Sequence, residues 1–200
     1  MKEILSAQRA HVASGATNSP SVRIEALKKL QIGLSRHEPA LLGALFADLS
    51  KSAEEAFMTE LSMVYGELTH AISHLRRWSR PRFVWPSLGQ LPGYGRVLRD
   101  PYDVVLILAP WNYPVQLNLV PLISAVAAGN CAVLRPSSSA PKTAQALEAV
   151  IRECFRPEHV AVVNGGTGVA RELTSLAFDK IFFTGSPSVG REVMRAASER

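Results

Sequence analysis

Cysteine is nearly absent from this sequence. Cys131 and Cys154 are the only two in 200 residues, too few for a disulfide framework and without the spacing of a zinc site. That scarcity agrees with a reducing compartment, and a cytoplasmic location is expected. Aromatic residues make up only 7%, so the core has to be aliphatic, built from Leu, Val, Ile and Ala. No apolar run approaches the ~18 residues a membrane helix needs, so no membrane span is expected. The opening stretch "MKEILSAQRAHVASGAT" carries charge and lacks a continuous apolar segment, unlike a secretory signal. Neither "NGGTG" nor "FTGSPSVG" reads G-x-G-x-x-G, which leaves the standard dinucleotide fingerprint unfilled. Internal repeats and low-complexity tracts are also missing.

What is present points to a globular chain. The hydrophobic fraction of 47% excludes disorder, and the length suits one domain or two small ones. A domain of about 150 residues buries ~70% of its unfolded surface, so a sizeable core is available. The net charge is +5, and its one local concentration is "HLRRWSRPRFVW". There Arg76, Arg77, Arg80 and Arg82 interleave with Trp78, Phe83 and Trp85. Such a strip could lay cations on phosphates and rings on bases. It reads better as a helix C-terminus, where cations suit the dipole, followed by a proline-bearing connector. No nucleic-acid module surrounds it, and no nucleic-acid partner is expected. His70 and His74 have the i, i+4 spacing of a metal pair, but no glutamate follows His70 as in a zinc-protease helix. They read as a solvated helix face, and no metal is expected. His11, His37 and His159 have no partner recognisable in the sequence.

Periodicity divides the chain. Residues 1–79 read as a helical layer: Ile24, Leu27, Leu30 and Leu34 form one stripe, Leu42, Leu45, Phe46 and Leu49 a second. The third and longest runs through Phe57, Leu61, Val64, Leu68, Ile72 and Leu75. Ser52, ahead of Glu54 and Glu55, is the expected start of the third helix. Residues 80–102 form a connector rich in proline and glycine, with one short strand at "RVLRD". From residue 103 to 200, strands and helices alternate: "DVVLILA", "CAVLRP", "HVAVVNG" and "KIFFTG" as strands, each followed by a helix. Pro121 is expected to kink the first of these helices. Four strands without polar alternation predict a parallel sheet covered on both faces. With right-handed crossovers the fold class is α/β, a Rossmann-like doubly wound sheet preceded by the helical layer. Ligands of such sheets lie beyond the strands' carboxyl ends, where "APWNYP", "RPSSSAP", "NGGTG" and "FTGSPSVG" fall.

These strand ends carry the candidate chemistry. Gly185 would let a ligand approach the backbone, and the helix after it offers free N–H groups to a pyrophosphate. Ser186 could donate its hydroxyl to that ligand or simply cap the helix. Arg135, with the serines after it, could hold a ribose or phosphate, or stand solvated beside an ordinary turn. Asn112, between Trp111 and Tyr113, is the most informative residue. Its side-chain amide could stabilise an oxyanion forming on a carbonyl, or brace a turn through backbone hydrogen bonds.

Taken in order, "APWNYP", "AVLRPSSSAPKTA", "VVNGG" and "FDKIFFTGSPSVGREVM" resemble the aldehyde dehydrogenase superfamily over the whole chain. Asn112 and Arg135 stand 23 positions apart (135 − 112), as the family has them. "PWNYP" and "NGG" are most similar to the class acting on fatty and aromatic aldehydes. The resemblance implies oxidation of an aldehyde to a carboxylic acid with NAD or NADP: a cysteine thiolate forms a thiohemiacetal, hydride leaves to nicotinamide, and a glutamate activates water. It implies that Asn112 is the oxyanion-stabilising amide, and that Pro110, Trp111, Arg135, Ser137, Ser138, Gly166, Thr184, Gly185 and Ser186 serve the cofactor. Trp111 and Tyr113 would wall the site. Arg135 matches a lysine that holds the adenine ribose, Gly166 lies in the loop near the adenine, and Gly185 and Ser186 match the pyrophosphate turn. Ser138 departs from a usual glutamate, whose carboxylate would repel a 2′-phosphate, so use of both NAD and NADP is expected.

The resemblance also implies what lies past Arg200: the cysteine nucleophile, the water-activating glutamate and a further strand. The chain then corresponds to an incomplete coenzyme domain, inactive alone, whose uncovered strand edge favours self-association. The full-length form is expected to be a homo-oligomer. Cys131 and Cys154 read as small buried residues rather than nucleophiles. A non-catalytic nucleotide-binding module is the alternative.

Overall fold

The computed structural model describes residues 1–199; Arg200, the last residue assigned to the coenzyme core by sequence, lies outside them. The helical region opens with α1 (Lys2–Ala13) and α2 (Pro20–Leu49). Helix α2 merges the first two apolar stripes into one 30-residue rod, about 45 Å long at 1.5 Å per residue. Pro39 lies within it on the exposed side, so the Ser35 carbonyl that loses its helical donor is left to water. Phe46, placed on the second stripe, is 64% exposed; Leu41 and Leu45 carry that face instead.

Ser52 starts the next helix as expected, its hydroxyl accepting from Glu55 N at 3.2 Å. The helix begins with α3 (Ala53–Ala56), widens through a π-helical turn at Phe57–Leu61, and continues as α4 (Ser62–Trp78). The connector holds two strands rather than one. Strand β1 (Arg82–Val84) pairs antiparallel with β2 (Gly95–Val97). Prolines on both sides of Arg82–Val84 hide β1 from pattern reading.

Then come β3 (Val104–Leu108), α5 (Gln116–Ala128), β4 (Cys131–Arg135), α6 (Pro141–Cys154), β5 (Val160–Val162), α7 (Thr167–Thr174), β6 (Lys180–Phe183) and α8 (Pro187–Ser198). Helix α5 passes through Pro121 without ending, and Gly129 at φ +97° caps it. The four strands form one parallel sheet in the order β5-β4-β3-β6. The chain moves outward from β3 to β4 to β5, then returns to the other side of β3. That reversal between β3 and β6 is a topological switch point, where such sheets bind ligands.

Both faces of the sheet are used. Leu27, Leu30, Leu34, Leu61, Val64 and Leu68 of the N-terminal helices, with Leu119 and Leu147, pack on Val105, Ile107, Ala132 and Leu134. Leu5, Leu173 and Leu176 pack on Val104, Leu106, Cys131 and Val133 from the opposite side. The fully buried large side chains are leucine and isoleucine, as the scarcity of aromatics requires. Strand β6 corrects one expectation. It alternates between exposed and half-buried positions because, among the described strands, only β3 pairs with it, and α8 above it has no buried residue.

Candidate active site

All four strands are parallel, so the loops after β3, β4, β5 and β6 emerge at one edge of the sheet. Each predicted site residue lies in one of them. The β3–α5 loop carries Pro110, Trp111 and Asn112. Arg135 ends β4, and Ser137 and Ser138 follow it. Gly166 is the N-cap of α7. Thr184, Gly185 and Ser186 join β6 to α8.

Asn112 stands exposed between Trp111 (54% exposed) and Tyr113 (39%). Its side chain is not what braces the turn. Beneath it, Glu60, completely buried, accepts hydrogen bonds through Oε2 from Val115 N (2.8 Å) and Gln116 N (3.3 Å). Lys51, 8% exposed, donates from Nζ to Glu60 Oε1 (2.6 Å) and to the Asn112 carbonyl (2.9 Å). The same ammonium lies 4.2 Å from the centre of the Tyr113 ring. Asn118 Nδ2 adds a bond to the Pro114 carbonyl at 2.7 Å. The turn is thus fixed through its backbone, and the Asn112 amide is left to face outward.

Neither Lys51 nor Glu60 stands out in the sequence reading, although a signal exists. Glu60 lies three residues after Phe57 and four before Val64, so it belongs to the apolar stripe of its helix. An acid on a buried stripe requires a partner.

At the switch point a cleft of about 490 Å³ opens between α7 and α8, over the tips of β3, β4 and β6. Arg135 lines it together with Leu108, Thr167, Phe183, Val189 and Val193. Of the predicted cofactor residues only Arg135 lines the cleft itself. Its guanidinium donates to the Gly165 carbonyl at 2.8 Å, while its buried Nε has no partner among the described residues. Burial lowers the pKa of this group below the ordinary guanidinium value. Arg135 is therefore half-buried rather than solvated, and is held at the cleft wall through the Gly165 carbonyl.

The serines divide. Ser137 is buried, and its Oγ accepts from Ser139 N at 3.2 Å, which makes the turn into α6. Ser138 is exposed and free to meet a ligand. Asp48, at the end of α2, accepts from Thr143 N (2.7 Å) and Lys142 N (3.3 Å) and so caps α6 from outside, anchoring this loop to the helical layer.

At Gly185 an added Cβ would meet Phe183 Cζ at 2.6 Å, so the turn has no room for a side chain on that side. At Gly166 nothing lies within 4 Å of an added Cβ, so the open face belongs to the α7 N-terminus. Ser186 caps α8, accepting from Val189 N at 3.5 Å.

These features suit an extended anionic nucleotide: two helix N-termini, one half-buried cation, and an apolar cleft between them. The two thiols do not suit nucleophilic work. Burial pushes Cys131 up to about 12 and Cys154 up to about 11, with the carboxylates of Asp103 and Glu158 adding to the first and of Glu153 to the second. Among the described residues no cluster of three potential metal-binding side chains occurs. His70 and His74 instead stack with Trp78 along α4, with ring centroids 4.3 to 5.7 Å apart. No helix is long and apolar enough to cross a membrane among the residues described.

The sequence model of the Aldehyde dehydrogenase family matches residues 1–200. A 4,4'-diapolycopene-4,4'-dial dehydrogenase of Cytobacillus firmus is 39% identical over 100% of this chain and 44% of its own length. Aldehyde dehydrogenase family 3 member F1 of Arabidopsis thaliana is 38% identical over 100% of this chain and 41% of its own. The substrate-bound structure of Staphylococcus aureus AldH superposes with a TM-score of 0.97 at 37% identity, over 99% of this chain and 43% of that one. This chain therefore spans less than half the length of the relatives it matches. Matched from end to end, the chain belongs to the aldehyde dehydrogenase family.

Proposed function

We propose that this chain is the amino-terminal, coenzyme-binding portion of an NAD(P)-dependent aldehyde dehydrogenase acting on fatty or aromatic aldehydes. Asn112 stabilises the oxygen of the reacting carbonyl. The observation that carries this reading is the placement of an outward-facing amide, on a turn fixed from below by buried charges, at the same sheet edge as the nucleotide-sized cleft. A donor held before charge develops needs no reorganisation when it does, and one such donor contributes about 3–4 kcal/mol to barrier lowering.

When bound, the nicotinamide dinucleotide supplies the hydride acceptor. Arg135 and Ser138 hold the adenosine ribose, and the α7 and α8 N-termini at Gly166 and Ser186 receive the phosphates. Pro110, Trp111 and Thr184 border the same path, with Ser137 shaping the turn beneath Ser138. A serine at 138 places no carboxylate against a 2′-phosphate, so NADP is accepted beside NAD. The nucleophilic thiolate and the water-activating carboxylate come from sequence beyond these 200 residues, since both thiols here are buried and held protonated. The working protein is a cytoplasmic homo-oligomer.

The test is turnover by the full-length protein that carries this chain, measured with a medium-chain and an aromatic aldehyde against each dinucleotide. Asn112→Ala is expected to lower kcat by about 10²–10³ while leaving dinucleotide affinity unchanged. Unchanged kcat in that variant overturns the role of Asn112. Dinucleotide binding without turnover of either aldehyde favours the non-catalytic binding module, and strict rejection of NADP removes the dual-cofactor reading.

A further inference from the structure

Lys51 and Glu60 form a buried ion pair whose partners, taken together, are unusual. A pair serving only stability would exhaust itself within the helical layer. Here three of the hydrogen bonds go to one loop: Lys51 to the Asn112 carbonyl at 2.9 Å, and Glu60 to the amides of Val115 and Gln116 at 2.8 and 3.3 Å. The Asn112 peptide is therefore gripped on its C-terminal side by a cation, and the first turn of α5 by an anion. The carboxylate also lies at the positive end of α5, where its charge is favoured. Desolvating two charges is costly and is repaid only by close geometry and satisfied hydrogen bonds. This pair has both, with 2.6 Å between Nζ and Oε1.

Glu60 reaches that position through a local irregularity. It belongs to the π-helical turn Phe57–Leu61, a form found mostly as single turns and frequently at functional sites. Hydroxyls favour the departure from regular helix: Thr59 Oγ1 bonds the Glu55 carbonyl at 2.7 Å, and Ser62 Oγ bonds the Met58 carbonyl at 2.7 Å. A charged group on the apolar stripe, carried by a distorted turn and bonded across 55 residues to a catalytic loop, is a costly arrangement for packing alone.

We propose that Lys51 and Glu60 are positioning residues that fix the orientation of the Asn112 amide, and so set kcat without touching substrate or cofactor. This rests on the assignment of Asn112 as the carbonyl-oxygen donor. Misplacement of about 1 Å at a reacting group can lower a rate by as much as 10²-fold, so a loosened turn shows in turnover before it shows in binding.

The experiment is a double-mutant cycle in the full-length dehydrogenase, with Glu60→Gln, Asn112→Ala and the combined variant. The amide that Glu60→Gln introduces keeps an acceptor for Val115 N but turns a donor toward Lys51 Nζ. Glu60→Gln is expected to lower kcat by about 10- to 100-fold, with dinucleotide KM changed less than about twofold. In the Asn112→Ala background the same substitution is expected to have almost no further effect, because the group it orients is gone. Hydrogen exchange at Val115 and Gln116 is expected to rise at least about tenfold while β3 amides keep their protection. Where Glu60→Gln fails to fold, Lys51→Met with Glu60→Met removes both charges together and is read in the same way, since buried pairs replaced jointly often leave stability intact.

An equal loss in both backgrounds, or full kcat in a folded Glu60→Gln enzyme whose Asn112→Ala counterpart is crippled, overturns the positioning role alone. Full kcat in Asn112→Ala overturns the functional assignment itself and the positioning role with it.

Discussion

His159 shows how placement alters a single side chain. Burial, with the His11 ring centroid 5.6 Å away, lowers it to about 4. An unfolded chain protonates the same ring near its ordinary 6.5. Below that pH the unfolded state binds more protons than the folded state, so stability falls as the solution is acidified. The contribution is complete above about pH 6.5 and is lost progressively toward pH 4, to a total of about 3 kcal/mol. Urea unfolding over this range should show a falling midpoint, and His159→Gln should flatten it. Asn112 and Arg135 could be singled out in the sequence because they belong to motifs that recur in order. Glu60 and Lys51 were not, because their significance lies in partners 55 and 61 positions away. Gly185 has no room for a Cβ because the Phe183 ring lies against it, a contact that strand spacing does not reveal.

Among the elements, β3 and β4 were readable because continuous apolar runs suit strands buried on both faces. Strand β1 was hidden by flanking prolines, and the first two apolar stripes proved to be one helix, α2, which tolerates Pro39 on its exposed side. The same helix crosses α6 closely at Gly33. An added Cβ at Gly33 would run into Cys154 Sγ at the end of α6. Gly33→Ala should therefore force the two helices apart and destabilise the protein by about 1–3 kcal/mol. Adding Cys154→Ala should recover most of that loss by removing the sulfur; thermal unfolding of the single and double variants measures both. No recovery would mean that the alanine acts through the helix backbone rather than the crossing.

For the whole molecule, apolar surface is unevenly distributed. The β1–β2 hairpin and the turn joining its strands present Trp85 (81% exposed), Leu88 (88%) and Tyr94 (70%), while β6 and α8 present Phe182 (43%) and Met194 (72%). Among the described strands, β6 has one paired neighbour and one open edge. Surfaces of this kind associate when left in water. The 200-residue chain expressed by itself should sediment as concentration-dependent oligomers, and a monodisperse monomer at millimolar concentration would contradict this. The α/β class, the doubly wound sheet and an uncovered strand edge were legible from alternating elements; the half-exposed faces of β6 were not, because the "KIFF" run resembles a fully enclosed strand.

Strand β3 has its two neighbours at very different distances along the chain. Val105 pairs with Ala132, but also with Lys180, 75 residues later (180 − 105). As the polypeptide leaves the ribosome, β3 and β4 can associate early, while the other flank of β3 waits until β6 has been synthesised. Until then its backbone is an open template for any passing strand. The pairing that completes the neighbours of β3 is thus tied to the pace of translation.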